Sequence, residues 1–243
     1  MDIAALARRH LRDYHAREPG TCFADPGFTL DLEAAYALQA AVSALRVAAG
    51  DRVIGYKVGC TGPGTIAQFG MAGPIRAYLY GSEVRSSGVA LAASDFAQLA
   101  IEGEMALRVG DGGDIDAVFP VIELHHFVFR GPRKTLVELV ANNGLNAGVI
   151  LPNDLGTPGP AMPKSLSVRV NDRTFGPSVP WPLAGGAAES LEWLRSHLAA
   201  FDLALEAGQT ILAGTPLGLY PVTPGDEVSV LVDGDPAVRC TIV

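Results

Sequence analysis

Ala100-Ile101-Glu102-Gly103-Glu104-Met105-Ala106-Leu107-Arg108-Val109 is an apolar run with charges only at even positions. In a strand, successive side chains point to opposite faces. Ile101, Met105, Leu107 and Val109 then line one face, and Glu102, Glu104 and Arg108 the other. Two glutamates two positions apart stand roughly 7 Å from each other along that face. The apolar character from Phe96 through Met105 makes the strand largely buried. Like charges that close and that buried raise one pKa sharply unless a cation lies between them. The plainer alternative is an exposed strand face with solvated carboxylates.

Working outward, Phe119-Pro120-Val121-Ile122-Glu123-Leu124 carries one charge in an apolar strand. Such a charge needs a partner, either a metal or a buried Arg or Lys. Three carboxylates without a soft ligand select a hard ion, Mg²⁺ or Mn²⁺. Lys57 lies in Gly55-Tyr56-Lys57-Val58-Gly59, where flanking glycines let a ligand or another backbone approach. It either pairs with a substrate carboxylate and moves protons, or snorkels from a surface strand. Strand alternation puts His125 on the face of Glu123, although single histidines are more often structural. Gly214-Thr215-Pro216-Leu217-Gly218 follows a predicted strand. It offers a hydroxyl and backbone N–H groups to a carboxylate, or is an ordinary turn. The P-loop, the nucleophile elbow and the dinucleotide-binding glycine pattern are all absent, and the histidines lack metal-motif spacing.

The remaining elements follow from periodicity. Helices are predicted over 1–17 and 32–49, the second capped by Asp31, with Pro19-Gly20 between them. From Val53 the chain turns to short strands: 53–59, 77–79, 82–85, 89–91, 100–109, part of 117–129, and 148–151. Short helices are expected at 65–70 and 136–140. A hairpin is expected at 166–175, an amphipathic helix at 186–204, and closing strands at 210–213, 227–232 and 237–243. The division is an N-terminal helical unit, 1–50, and a β-rich unit, 51–243.

Composition sets the outer bounds. The chain has 243 residues, 49% hydrophobic and 18% charged, with net charge −8. That is ample for a core and rules out global disorder. No basic cluster serves a phosphate backbone, so nucleic acid and anionic membranes are poor partners. Cys22, Cys60 and Cys240 are scattered, which fits neither a disulfide framework nor a zinc site and suits a reducing cytoplasm. No apolar run has the length of a membrane span, and the N-terminal stretch lacks a signal-peptide order.

Taken together, Ile54-Gly55-Tyr56-Lys57-Val58-Gly59, Glu102-Gly103-Glu104 and Pro120-Val121-Ile122-Glu123 resemble the 2-keto-4-pentenoate hydratase / 2-oxohex-3-enedioate decarboxylase family of the fumarylacetoacetate hydrolase superfamily. Leu32–Gln39, Ala188–Leu194, Leu205–Gly214 and Pro224-Gly225-Asp226 extend the resemblance over nearly the whole chain. The resemblance implies an α+β fold: a rolled, mixed β-sheet core with an N-terminal helical lid. It implies a Mg²⁺ or Mn²⁺ site of Glu102, Glu104 and Glu123, with catalytic Lys57 beside the carboxylate and 2-oxo group of a small 2-oxo acid. Gly214, Thr215, Asn142 and His125 are expected around that substrate, in a homo-oligomer. The chain departs from the family pattern at Arg76 and Asn142, and at His125-His126, each replacing a usual aspartate. The stretch 110–119 is also shorter. Besides a hydratase or decarboxylase, two readings stay open. One is an acylpyruvate C–C hydrolase using His10 or His15 as base, and the other a non-catalytic partner of an active paralogue.

Overall fold

The structure is a computed structural model and describes residues 1–71, 73–130, 134–155 and 163–243. Along the chain come α1 (Ile3–His15), α2 (Leu32–Ala48), β1 (Val53–Gly59), α3 (Pro63–Phe69) and β2 (Ile75–Tyr80). Next are β3 (Val84–Ser86), β4 (Val89–Leu91), β5 (Leu99–Val109), β6 (Ile115–His126), α4 (Leu136–Ala141) and β7 (Asn146–Leu151). The chain closes with β8 (Leu166–Val170), β9 (Arg173–Ser178), α5 (Gly186–Ala199), β10 (Thr210–Leu212), β11 (Leu219–Pro221), β12 (Glu227–Val232) and β13 (Asp235–Ile242). Asp2 and Asp31 cap the first two helices through their side chains, accepting from Ala5 N and Ala34 N.

The strands form two sheets. The larger runs β2-β1-β10-β5-β6-β7-β3, with β11 paired to the start of β5. The smaller runs β4-β13-β12-β8-β9. β1–β10, β3–β7 and β4–β13 are parallel and the other pairs antiparallel, so both sheets are mixed. This is the α+β class read from the sequence.

Alternation along β5 and β6 organises the layers. Ile101, Met105, Ile122 and Leu124 point outward into a core shared with Leu166, Val168, Val228 and Val230 of the second sheet. Leu107, Val109 and Ile211 meet Leu191, Leu194 and Leu198 of α5. The opposite face is the inside of the larger sheet. There Leu79, Ala106, Phe119, Val121, Val149 and Leu212 pack into an apolar plug. Glu102, Glu104, Glu123 and Lys57 continue the same face beyond it.

The N-terminal pair packs differently from the expected lid. α1 and α2 share a core with α4 and Ile75, and Gln39 donates to the carbonyls of Arg76 and Val140. Neither helix borders the cleft described below; α3 and the residues before it do. Arg46 fastens α2 to the sheet through Asp51 at 2.8 Å and Glu83 at 2.9 Å, with its guanidinium 3.6 Å from the Tyr80 ring centroid. Among smaller differences, α5 stops at Ala199, where Asp202 soon takes a left-handed φ of 55°. β11 pairs with β5 although it is only a short segment after a glycine-rich loop. No helix among the described residues is long and apolar enough to cross a membrane.

Gly103 shows why a glycine separates the two glutamates of β5. A Cβ there would lie 2.4 Å from Val168 Cγ2 and 3.0 Å from Val230 Cγ2. Gly103→Val is expected to force the sheets apart and cost about 1–3 kcal/mol or more by overpacking, read by denaturant unfolding. Asp51 supplies a pH test. Burial alone would raise its carboxyl, but hydrogen bonds from Ser82 and Arg46 prevail and hold it at about 2. Its contribution is therefore full above the ordinary pKa of 3.8 and is lost as the pH falls through about 2. Asp51→Asn should remove about 1–2 kcal/mol at neutral pH and leave a flatter stability profile between pH 4 and 2.

Candidate active site

Glu102 and Glu123 are cross-strand partners in the β5–β6 register. Their side chains share the inner face, and like charges directly opposite destabilise a strand pair. β1 brings the compensation. Lys57 Nζ lies 2.8 Å from Glu123 Oε1 and 3.9 Å from Glu102 Oε2. Two positions beyond Glu123, His125 Nε2 stands 3.3 Å from Glu102 Oε2 and 3.3 Å from Glu123 Oε2. A register shift between β6 and β7 then places Asn146 opposite His125, and its Nδ2 donates to Glu123 Oε1 at 2.6 Å. Such bulges re-aim side chains locally. Gly148, at φ 125°, supplies the backbone here, where a Cβ would meet Glu83 O at 2.4 Å.

The electrostatics follow from this packing. Burial would lower the Lys57 ammonium, but Glu123, Glu102 and Glu104 outweigh it and raise its pKa. Burial would raise Glu102 and Glu123, yet His125 and Lys57 hold both below the ordinary carboxylate value. Glu104 has no such help: burial and the charges of Glu123 and Glu102 push it well above that value. Glu104 is thus the member of the trio whose charged form its surroundings disfavour most, and its Oε2 accepts from Gly214 N at 3.1 Å. Burial and Lys57 act to lower His125, but Glu123 and Glu102 prevail and raise it.

Lys57, Glu102, Glu104 and His125 line the floor of a cleft of about 520 Å³, while Glu123 is fully buried. Its walls include Thr61, Gln68 and Phe69 around α3, Phe127 and Phe129 after β6, and the loop 214–219. Lys134 stands at the cleft with Nζ 4.4 Å from the Phe127 ring centroid.

The structure thus brings together Lys57, Glu102, Glu104, Glu123 and His125, with Gly214 and Thr215 on the wall. The polar groups of the last two are already engaged. Gly214 N donates to Glu104, while Thr215 Oγ1 donates to Gly103 O at 2.7 Å and accepts from Leu217 N at 3.1 Å. They shape the loop and seat Glu104. Asn142 lies elsewhere: Nδ2 donates to Glu138 O at 3.0 Å and the side chain packs on Gly20, beside a separate small cavity. Arg76 is on the other face of β2, its guanidinium 4.7 Å from the Tyr78 ring centroid and 5.2 Å from that of Tyr36. His10 contacts Cys22 Sγ at 3.0 Å, and neither His10 nor His15 borders the cleft. Asn146 and the aromatic wall were missed from sequence. A lone Asn opening the run Asn146-Ala147-Gly148-Val149-Ile150 was the available signal, since a buried amide needs partners.

The donor set suits a divalent cation. One donor atom each from Glu102, Glu123 and His125 lies within 4.8 Å of the others. Glu123 Oε2 and His125 Nε2 are buried without a hydrogen-bond partner. Converging, unsatisfied donors are what a bound cation would satisfy. In chelator-treated protein, Glu123→Gln strips Lys57 of its main partner and should cost about 3–5 kcal/mol. Glu104→Gln removes a charge that its surroundings disfavour and keeps the acceptor for Gly214 N, so it should cost under about 1 kcal/mol. Equal losses on denaturant unfolding would contradict the assigned charge states.

No model of a known protein family matches the chain. It is 28% identical over 226 residues to a 2-hydroxyhexa-2,4-dienoate hydratase of Comamonas testosteroni, covering 84% of each chain. It is 25% identical over 214 residues to a 4-oxalocrotonate decarboxylase of Pseudomonas sp. (strain CF600), covering 82% of this chain and 81% of the relative. Among solved structures, it superposes with TM-score 0.87 and 22% identity on the 4-oxalocrotonate decarboxylase from Pseudomonas putida G7 complexed with magnesium and adipate, covering 99% and 97% of the two chains. Over most of its length the chain is thus similar in sequence to hydratases and decarboxylases of small oxo acids, and it shares the fold of the Pseudomonas putida G7 decarboxylase.

Proposed function

We propose that the protein is a divalent-metal-dependent lyase, a hydratase or decarboxylase, acting on a small 2-oxo or 2-hydroxydienoate acid. The observation that carries this reading is the convergence of Lys57, Glu102 and Glu104 on one cleft, with the fully buried Glu123 paired to Lys57. The names of its hydratase and decarboxylase relatives support the same reaction class. When bound, Mg²⁺ or Mn²⁺ would stabilise negative charge on the substrate's C2 oxygen, and Glu102, Glu104 and Glu123 are the residues that would hold it.

The chain's own groups do the rest. The carboxylate neighbours of Lys57 outweigh burial and favour its charged form. It offers a positive donor toward a substrate carboxylate or a developing oxyanion. Phe69, Phe127 and Phe129 give the cleft apolar surface for a substrate's carbon chain, and Lys134 adds a positive charge to its lining. The C–C hydrolase reading asked for a histidine base from the N-terminal helices. His10 and His15 stand away from the cleft, which favours the lyase.

The test supplies 2-hydroxypenta-2,4-dienoate and 2-oxohex-3-enedioate in separate reactions with Mg²⁺ or Mn²⁺, identifying products by NMR and released CO₂. Metal-dependent turnover of one of them is expected. Glu102→Gln should lower it by about 10²–10³-fold while the variant stays folded. Failure of both substrates, with no metal-dependent binding of oxalate, would overturn the reading.

A further inference from the structure

We infer that His125 is itself a ligand of the cation, so that this chain has a mixed oxygen–nitrogen site and favours transition-metal ions over Mg²⁺. The inference rests on the metal-dependent reading above and assigns a ligand beyond the three glutamates.

Three observations carry it. First, position: strand alternation and the β6–β7 register shift bring His125 onto the inner face beside the Glu102–Glu123 pair. Second, geometry: Nε2 is equidistant, at 3.3 Å, from one oxygen of each glutamate. An imidazole committed to an ordinary ion pair would aim its N–H along one N–H···O line. Here Nε2 and the facing Glu123 Oε2 both lack a hydrogen-bond partner, at 4% and 0% residue exposure. Two buried, unsatisfied atoms converging on one point call for a third body. Third, competition: Glu104, the remaining glutamate, spends Oε2 on Gly214 N and is not among the three residues whose donors cluster within 4.8 Å. In this arrangement His125 stands nearer the ligand set than Glu104 does.

The chemistry then differs from an all-carboxylate site. Mg²⁺ prefers oxygen ligands and dehydrates reluctantly. An imidazole nitrogen strengthens binding in the order Mn²⁺, then Fe²⁺, then Co²⁺.

Metal-free protein should be titrated calorimetrically with Mg²⁺, Mn²⁺ and Co²⁺, and the visible spectrum of the Co²⁺ form recorded. The same is done with His125→Asp, which restores an oxygen donor, and with His125→Gln. Wild type is expected to bind Co²⁺ more tightly than Mg²⁺. His125→Asp should narrow the Co²⁺/Mg²⁺ affinity ratio by about 10–100-fold, the usual loss when a metal shell is altered. Both variants should shift the Co²⁺ absorption bands. Folding of each variant is checked by circular dichroism. Tight binding with an unchanged ratio and spectrum in the folded variants would overturn the role of His125 and leave the metal-dependent reading standing. Failure of wild type to bind any of the three cations would overturn both.

Discussion

Two carboxylates face each other across adjacent strands in a buried place, and the site is arranged around that conflict. Glu102 and Glu123 are direct partners in the β5–β6 ladder, so the backbone register itself forces the charges together. An unpaired buried charge costs several kcal/mol. Lys57 from β1, His125 from β6 and the Asn146 amide from β7 each reduce that cost. Strands β1, β5, β6 and β7 thus meet in one electrostatic problem, and the curl of the larger sheet is what lets β1 reach it. Glu104, whose proton affinity the same crowding raises, takes a hydrogen bond from the 214–219 loop.

Much of this could be read from residues alone, because alternation is a strict rule within one strand. The faces of β5 and β6 follow from counting by two, and so does the shared side of Glu123 and His125. A lone charge in an apolar run announces a buried partner, and Lys57 in its glycine-flanked strand is that partner. Where the reading stopped, the cause is a break in a local rule or a contact made at long range. Asn142 was singled out and Asn146 was not, since the register shift between Asn146 and Gly148 is what turns Asn146 toward Glu123. Gly214 and Thr215 looked free because their partners, Glu104 and Gly103, lie more than a hundred positions earlier in the chain. The N-terminal helices were legible as helices, but which surface they cover is decided by Arg46, Gln39 and α4, at distances no periodicity encodes.

The second sheet bears on the site without touching its chemistry. Val168 and Val230 press on the strand where Gly103 leaves room, directly behind the two glutamates of β5. Outward packing of Ile101 and Met105 holds that strand from the rear, so Glu102 and Glu104 project from a backed surface. A search for paired glutamates that ignored the middle residue would therefore admit sequences unable to bring the sheets together.

The apolar plug of Leu79, Phe119, Val121, Val149 and Leu212 has a further consequence. It fills the inner face of the larger sheet beside the charged groups with aliphatic and aromatic side chains. A charged end of a bound molecule that slid past Lys57 and the glutamates in that direction would shed its hydration without gaining a partner. The plug thus fixes how deep a polar head can sit, as the glutamates and the lysine fix what it can touch.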